Sequence, residues 1–181
     1  MFKFLKSQKG AMFGLDARIA LGIFAALSVG TGYTIVNVIK DTNKTTMAGD
    51  MSAIKTGYQN LTLNTGQDTN NFLDLVKDET GMFDWSGPYI TMTNDKSSKY
   101  GRYGIIEART ESSSSAGKPA PCTSTDLCFM WLQLSGVPSN IAKAVDEHID
   151  GKPADPLRGQ FRIQRSETGK DTVYYRMQKK Q

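Results

Sequence analysis

Apolar and polar positions divide this chain into three regimes. From Ala17 to Ile39 the side chains are apolar almost throughout, with one charge, Arg18, at the start of the run. As a helix, such a run extends about 35 Å, enough to cross a bilayer core of roughly 30 Å. Past Lys40 the pattern becomes a stripe. Met47, Met51, Ile54, Tyr58 and Leu61 recur at the helical period, with Lys44, Asp50, Lys55 and Gln59 between them. No Pro or Gly cluster separates these two regimes. The pattern therefore predicts one helix from about Phe13 to Leu63, apolar all round in its first half and amphipathic in its second. Gly30 and Gly32 interrupt the first half. Each mid-helix glycine costs roughly 1 kcal/mol relative to alanine, so the pair marks where this helix most readily loosens, or where a neighbouring helix packs closely. Asn64-Thr65-Gly66 is the expected stop.

The third regime is short-range and mixed. Thr69 to Lys77 reads as a short helix. Trp85 and Tyr89 read as packing anchors around a turn at Ser86-Gly87-Pro88, with a strand starting over Tyr89 to Thr93. Tyr100 to Thr110 reads as a strand, and Glu111 to Pro121, rich in Ser, Gly, Pro and Ala, as an exposed loop. Leu127 to Leu134 is the most apolar strand and belongs in the middle of a sheet. Pro138 to Ile149 carries Ile141, Val145 and Ile149 on one helical face, with Gly151 as the stop. Gln160 to Gln164 and Thr172 to Met177 read as two terminal strands. The class is α+β: a long N-terminal helix packed by its second half on a small antiparallel sheet.

Length and charge sharpen this only slightly. About 120 residues remain outside the long helix, enough for one compact domain. The net charge is +4, but Lys3, Lys6 and Lys9 supply three of those charges within the first ten residues, where there is no acid. Three lysines ahead of an apolar helix hold that end in the cytoplasm and put the remainder outside. A second basic bias lies between Pro156 and Gln181, with seven Lys/Arg against Glu167 and Asp171. Its arginines Arg158, Arg162, Arg165 and Arg176 are candidate nucleic-acid contacts, or the solvated face of two terminal strands. A cleavable secretory signal is the competing reading of the N-terminus, with Ile19 to Val29 as its core and Ser28 and Gly30 near the cut. Asp16 ahead of that core and the lack of an A-x-A pattern speak against it.

Candidate chemistry is sparse. Cys122 and Cys128, with five residues between them, fit neither a CxxC redox motif nor a zinc half-site. In an exported domain a lone close pair forms a disulfide. With His148 the only histidine, a zinc site lacks ligands. Asp146, Glu147, Asp150 and Asp155 offer hard oxygens but no EF-hand spacing. The serines at 112–115 have no paired base, and Gly101 to Gly104 is followed by no helix that would make a phosphate loop. No catalytic constellation, cofactor or metal is expected.

The junction around Gly10 has a definite order: basic leader, small residue, short apolar stretch, one acid, long apolar helix. It resembles the class III signal of type IV pilins and type II secretion pseudopilins, over Lys9 to about Ile39. NTGQDTNNFLDLV followed by DWSGPYI is similar to the segment after the long helix in the same family. The resemblance implies a pilin-like lollipop, with a leader at 1–10, an apolar transmembrane and assembly half-helix at 11–40, its amphipathic continuation at 41–63 and a globular head at 64–181. It implies processing by a prepilin peptidase at Gly10, Ala11 and Met12, and methylation of the new terminus. Asp16 matches the acid that meets a neighbour's terminal amine and steers assembly, although Asp stands where Glu is usual. A cut after Gly10 makes Asp16 the sixth mature residue, and a cut after Ala11 makes it the fifth. The alternative for Asp16 is a simple cap at the helix N-terminus.

The expected function is that of a structural subunit of a type IV pilus-like filament, not an enzyme. Its partners are copies of itself or other pilins, the peptidase, and the inner membrane before assembly. The head is periplasmic first and at the cell surface after assembly. A secretion pseudopilin is an alternative, although the DPWGNPY motif linked to calcium in that group is absent, so no calcium site carries over. A non-polymerising, membrane-anchored binding domain and a DNA-binding variant are the others.

Overall fold

The computed structural model describes residues 9–112, 117–123 and 125–181. Within the long helix, side chains are described for 17–26, 28, 35 and from 38 onward. The chain falls into two compact units, Met1–Thr42 and Asn43–Gln181. Helical backbone, α1, covers Lys9–Thr65. In the first unit it is a short N-terminal helix over 17–26, and a long helix follows over 38–65. Ile19, Leu21, Ile23 and Phe24 on the short helix are 54 to 71% exposed. Among the described residues, no helix is long and apolar enough to cross a membrane. Part of the apolar run, including Gly30 and Gly32, has no described side chains.

The second unit contains the sheet. Its strands are β1 (Tyr103–Ser112), β2 (Pro119–Pro121), β3 (Phe129–Pro138), β4 (Phe161–Gln164) and β5 (Lys170–Lys179), and α2 (Ser139–Ile149) connects β3 to β4. The order is β2-β1-β3-β5-β4, every pair antiparallel. The sheet curls into a half-barrel. Side chains alternate across it, as the pleat requires. Met130, Leu132 and Leu134 of β3, Val173, Tyr175 and Met177 of β5, and Phe161 and Ile163 of β4 join one core with the α1 stripe and with Ile141 and Val145 of α2. Met47, Met51, Ile54, Tyr58 and Leu61 are each at most 2% exposed. Trp131 of β3, Tyr174 of β5 and Ala108 of β1 form a second, smaller cluster. A bulge between Met130 and Trp131 shifts the β3–β5 register, which pairs Met130 with Gln178 but Trp131 with Arg176.

The expected lollipop, one long N-terminal helix packed on a small sheet, is overturned. A helix packs only where it carries a distinct apolar face. That face belongs to the 38–65 helix, whereas the described part of 17–26 is exposed and belongs to the other unit. The sheet is not a small platform either. Three of its strands have ten residues each, and it curls far enough to hold a cluster of its own.

Between α1 and β1 the chain is irregular apart from an isolated bridge of Lys96 with Arg102 and one 3-10 turn, Phe72–Leu75, which Asn71 caps through its side chain. The strand expected over Tyr89 to Thr93 does not form. Its backbone is engaged elsewhere, because the Tyr89 amide donates to the Leu75 carbonyl at 2.8 Å. This segment also runs tight against α1 at Gly57, where a Cβ would lie 2.7 Å from the Tyr89 carbonyl oxygen. Trp85 and Tyr89 meet edge to face at 5.8 Å. The Trp85 indole donates to the Asp74 carbonyl at 2.7 Å.

Asp74 organises this segment. It is fully buried, and its carboxylate accepts from Thr69 Oγ1 at 2.5 Å, Thr80 Oγ1 at 3.0 Å, and the amides of Glu79 and Thr80 at 3.2 Å. A buried carboxylate is tolerated when such donors replace water. Asp74→Ala leaves these donors, and Asn71 Nδ2 at 3.5 Å, facing a void. It is expected to destabilise the second unit by about 2–4 kcal/mol, measured by denaturant unfolding. A loss within 0.5 kcal/mol of zero would show that the segment is held by its aromatic contacts instead.

Candidate functional site

The N-terminal candidates lie mostly outside what can be described. Gly10, Ala11, Met12 and Asp16 have helical backbone, but their side chains, like those of Gly30 and Gly32, are outside the described residues. Cys122 and Cys128 form a disulfide, with Cα atoms 6.0 Å apart. It closes the turn that leads into β3, where Asp126 accepts from the Thr123 amide at 2.8 Å and from its hydroxyl at 2.6 Å. These hydrogen bonds, with Arg109 nearby, hold the Asp126 carboxyl below its usual range. Glu107 lies close enough to the two sulfurs to make up a ligand triad. The sulfurs are bonded to each other, however, and the Glu107 carboxylate accepts from Lys180 Nζ at 2.7 Å. Thiolates are the metal ligands among cysteine forms, so in this state the triad offers a cation only the carboxylate of Glu107, already paired with Lys180.

The four arginines separate. Arg165 is exposed beyond the end of β4. Arg158 is 87% exposed and lies 3.9 Å from Asp155. Arg176 on β5 is half-buried, with its guanidinium 5.3 Å from the Phe129 ring centroid and 6.0 Å from that of Trp131. Arg162 on β4 is only 2% exposed. It stands between Phe161 and Ile163, which both point to the α1 side, so the pleat turns Arg162 to the opposite face. There it lies 4.8 Å over Trp131, and its Nη2 donates to the Thr110 carbonyl of β1.

In ladder terms, β4 and β1 are three strand spacings apart, about 14 Å in a flat sheet. That exceeds one side chain's reach. The contact exists because the sheet curls and the end of β1 comes over toward β4. Gly117, just before β2, confirms this closeness. A Cβ there would lie 2.0 Å from the Ile163 carbonyl oxygen, and the residue sits at φ +89°, where glycine is favoured.

Burial, with Arg176 close by, lowers the affinity of the Arg162 guanidinium for its proton, and the more distant Asp150 and Asp155 oppose that effect. Among the described residues, neither acid makes a hydrogen bond or ion pair with Arg162. Asp150 accepts from the amides of Gln160 at 3.0 Å and Phe161 at 2.8 Å, and Asp155 accepts from the Leu157 amide at 3.0 Å. Nε and Nη1 of Arg162 are buried with no hydrogen-bond partner. Arg162, Arg176 and Arg158 together line a recess of about 570 Å³, bounded also by Thr110, Glu111 and Gly159. The recess was not legible from the spacing of the arginines. The alternation in Phe161-Arg162-Ile163 was the available signal, and Trp131, its platform, lay thirty-one residues upstream.

Asp146 on α2 is the other perturbed group. It is 2% exposed, and Oδ1 has no hydrogen-bond partner. Burial first, then the charges of Asp150, Asp155 and Glu147, push its carboxyl up to about 6. Glu147 itself pairs with Lys152 at 3.1 Å.

No family model, no curated protein and no solved structure matches this chain. The reading of its function rests on its own residues.

Asp146 gives a pH prediction. Its folded-state pKa lies above the ordinary carboxylate value of 3.8. The folded state therefore holds the proton more tightly than the unfolded state between about pH 4 and pH 6. Stability from this group is present below that window and lost as pH rises through it. Asp146→Asn is expected to raise Tm at pH 7.5 by roughly 3–6 °C, with the gain shrinking toward pH 4. A gain independent of pH would rule out the buried carboxylate as its cause.

Proposed function

We propose that this chain is a structural subunit of a type IV pilus-like filament, assembled with copies of itself through its apolar N-terminal helical segment. The single observation that carries this reading is the exposure of that segment. Ile19, Leu21, Ile23, Phe24, Ile35, Val38 and Ile39 are each 54 to 71% exposed, while the second unit closes its core without them. Large contiguous apolar surface on an isolated chain calls for lipid or a protein partner. The leader, the small residues at Gly10 and Ala11, and the lone acid Asp16 ahead of the apolar run support a processed segment that is held in the inner membrane and then passes into a bundle. Buried apolar surface between copies then supplies cohesion. A carboxylate entering that bundle is costly unless paired, so Asp16 against a neighbour's terminal amine fixes the stagger. The Cys122–Cys128 disulfide is in keeping with a head outside the cytoplasm.

This proposal rests on the N-terminal segment and not on the architecture of the second unit. A secretion pseudopilin would share the same segment. A membrane-anchored binding domain that never polymerises is the reading favoured by a different observation, the arginine-lined recess.

Two measurements test assembly. The intact mass of the mature chain is expected to show loss of residues 1–10 or 1–11. Asp16→Ala is expected to reduce sheared filaments at least tenfold while leaving the thermal unfolding of the second unit unchanged. Undiminished filaments from the Asp16→Ala chain, or a mature mass that retains the leader, would overturn the proposal.

A further inference from the structure

The geometry points to an oxyanion-binding site, for a phosphate or sulfate group, in the recess between the end of β1 and β4. This inference is independent of the assembly reading. A guanidinium withdrawn from water needs its five N–H donors satisfied and its charge balanced. Arg162 is 2% exposed, yet it makes one hydrogen bond, through Nη2 to the Thr110 carbonyl, and leaves Nε and Nη1 without partners. A second guanidinium, Arg176, shares the same aromatic platform: it lies 6.0 Å from the Trp131 ring that Arg162 covers at 4.8 Å. Two like charges over one ring repel each other, and among the described residues no carboxylate makes a hydrogen bond or ion pair with either. The nearby acids have other partners, Asp150 on two backbone amides and Asp155 on the Leu157 amide and Arg158. Glu111, at the rim, is 76% exposed and turned to Arg109 at 3.4 Å.

Among the described residues, the recess is therefore a cationic pocket in which neither Arg162 nor Arg176 has a paired carboxylate. A tetrahedral oxyanion fits its chemistry, because guanidinium groups bind phosphate and sulfate through paired N–H donors. Contact with Trp131 and Phe129 limits the side-chain freedom that Arg162 and Arg176 have left to lose on binding. Arg158, 87% exposed and 3.9 Å from Asp155, lines the recess as a third guanidinium. The recess of about 570 Å³ exceeds one oxyanion, leaving room for the small group that carries it.

The test is thermal unfolding and calorimetric titration of the full chain with inorganic phosphate, inorganic sulfate and a sugar phosphate monoester, against chloride at matched ionic strength. A saturable rise in Tm with either inorganic oxyanion is expected. Tighter binding of the monoester would identify a carried phosphate as the ligand, and equal binding would identify the free ion. Arg176→Gln is expected to weaken binding at least about tenfold. Arg162→Met is expected to abolish it if the variant folds, and Arg176→Gln carries the test if it does not. Arg165→Gln, outside the recess, is expected to leave affinity unchanged. A Tm shift no larger than with chloride would overturn the site. So would equal losses from Arg165→Gln and Arg176→Gln, since that outcome describes a diffuse basic surface.

Discussion

The docking of one helical stripe onto one face of the sheet is the interaction on which the second unit depends. Met47, Met51, Ile54, Tyr58 and Leu61 are removed from water almost completely. Each apolar side chain so buried contributes about 1.5–3 kcal/mol, and no other element offers the sheet's α1 side an apolar surface of comparable length. Tyr58 shows how the stripe is also fixed in register. Its hydroxyl accepts from the Thr69 amide at 3.1 Å and reaches Asp68 at the same distance. Asp68 in turn accepts from Gln178 Nε2 at 3.3 Å and from the Gln181 amide at 2.7 Å. One buried phenol thus ties the helix to the loop that follows it and to the last strand. Burial holds that phenol well above its usual pKa, so it remains a neutral donor.

The two faces of the sheet are closed by different physics. The α1 side is closed by dispersion and the hydrophobic effect, which are non-directional and tolerate bulges such as the one at Met130. The other side is closed by the curl of the sheet itself and by Arg162 lying across Trp131. That closure is directional and polar. It depends on the Thr110 carbonyl, on Gly117 passing close beneath the Ile163 carbonyl, and on a guanidinium whose remaining donors have no partner. An apolar residue at position 162 would fill the same gap without the desolvation cost of a charge. The charge is therefore poorly explained by stability alone, whereas an anion would use it.

The legible parts of the sequence were those where periodicity reports burial directly. The stripe from Met47 to Leu61 was readable because period 3.6 and burial coincide, and α2 because Ile141, Val145 and Ile149 share a face. Cys122 and Cys128 were readable as a pair because little else in the chain could use them. The strand expected at Tyr89 was misread. Its residues have strand propensity, but their backbone groups bond to the 3-10 turn and pack at Gly57, a tertiary constraint that local propensity cannot report. The overall architecture failed for a related reason. Apolar character along a helix says that it needs covering, not what covers it. The unbroken apolar pattern from Phe13 to Leu63 was read as one long helix, whereas the chain has a short helix over 17–26 and a longer one over 38–65. The recess was hidden because it depends on curl, which brings Thr110 and Arg162 together over fifty-two positions of sequence.

The division at Thr42 and Asn43 has a functional consequence for any assembled state. The second unit buries its own apolar surface and carries its own polar networks around Asp74 and Asp68, so its folding does not wait on association. Ile19, Leu21, Ile23, Phe24, Ile35, Val38 and Ile39 are in the opposite position, since only lipid or another chain would bury them. A subunit built this way separates two equilibria that a single continuous core would couple. Under the proposed assembly, substitutions in the first segment alter association while leaving the second unit's stability alone, and substitutions at Asp74 or Asp146 do the reverse. That separability lets the second unit keep its fold while, under the proposed assembly, the apolar segment passes from lipid to another chain.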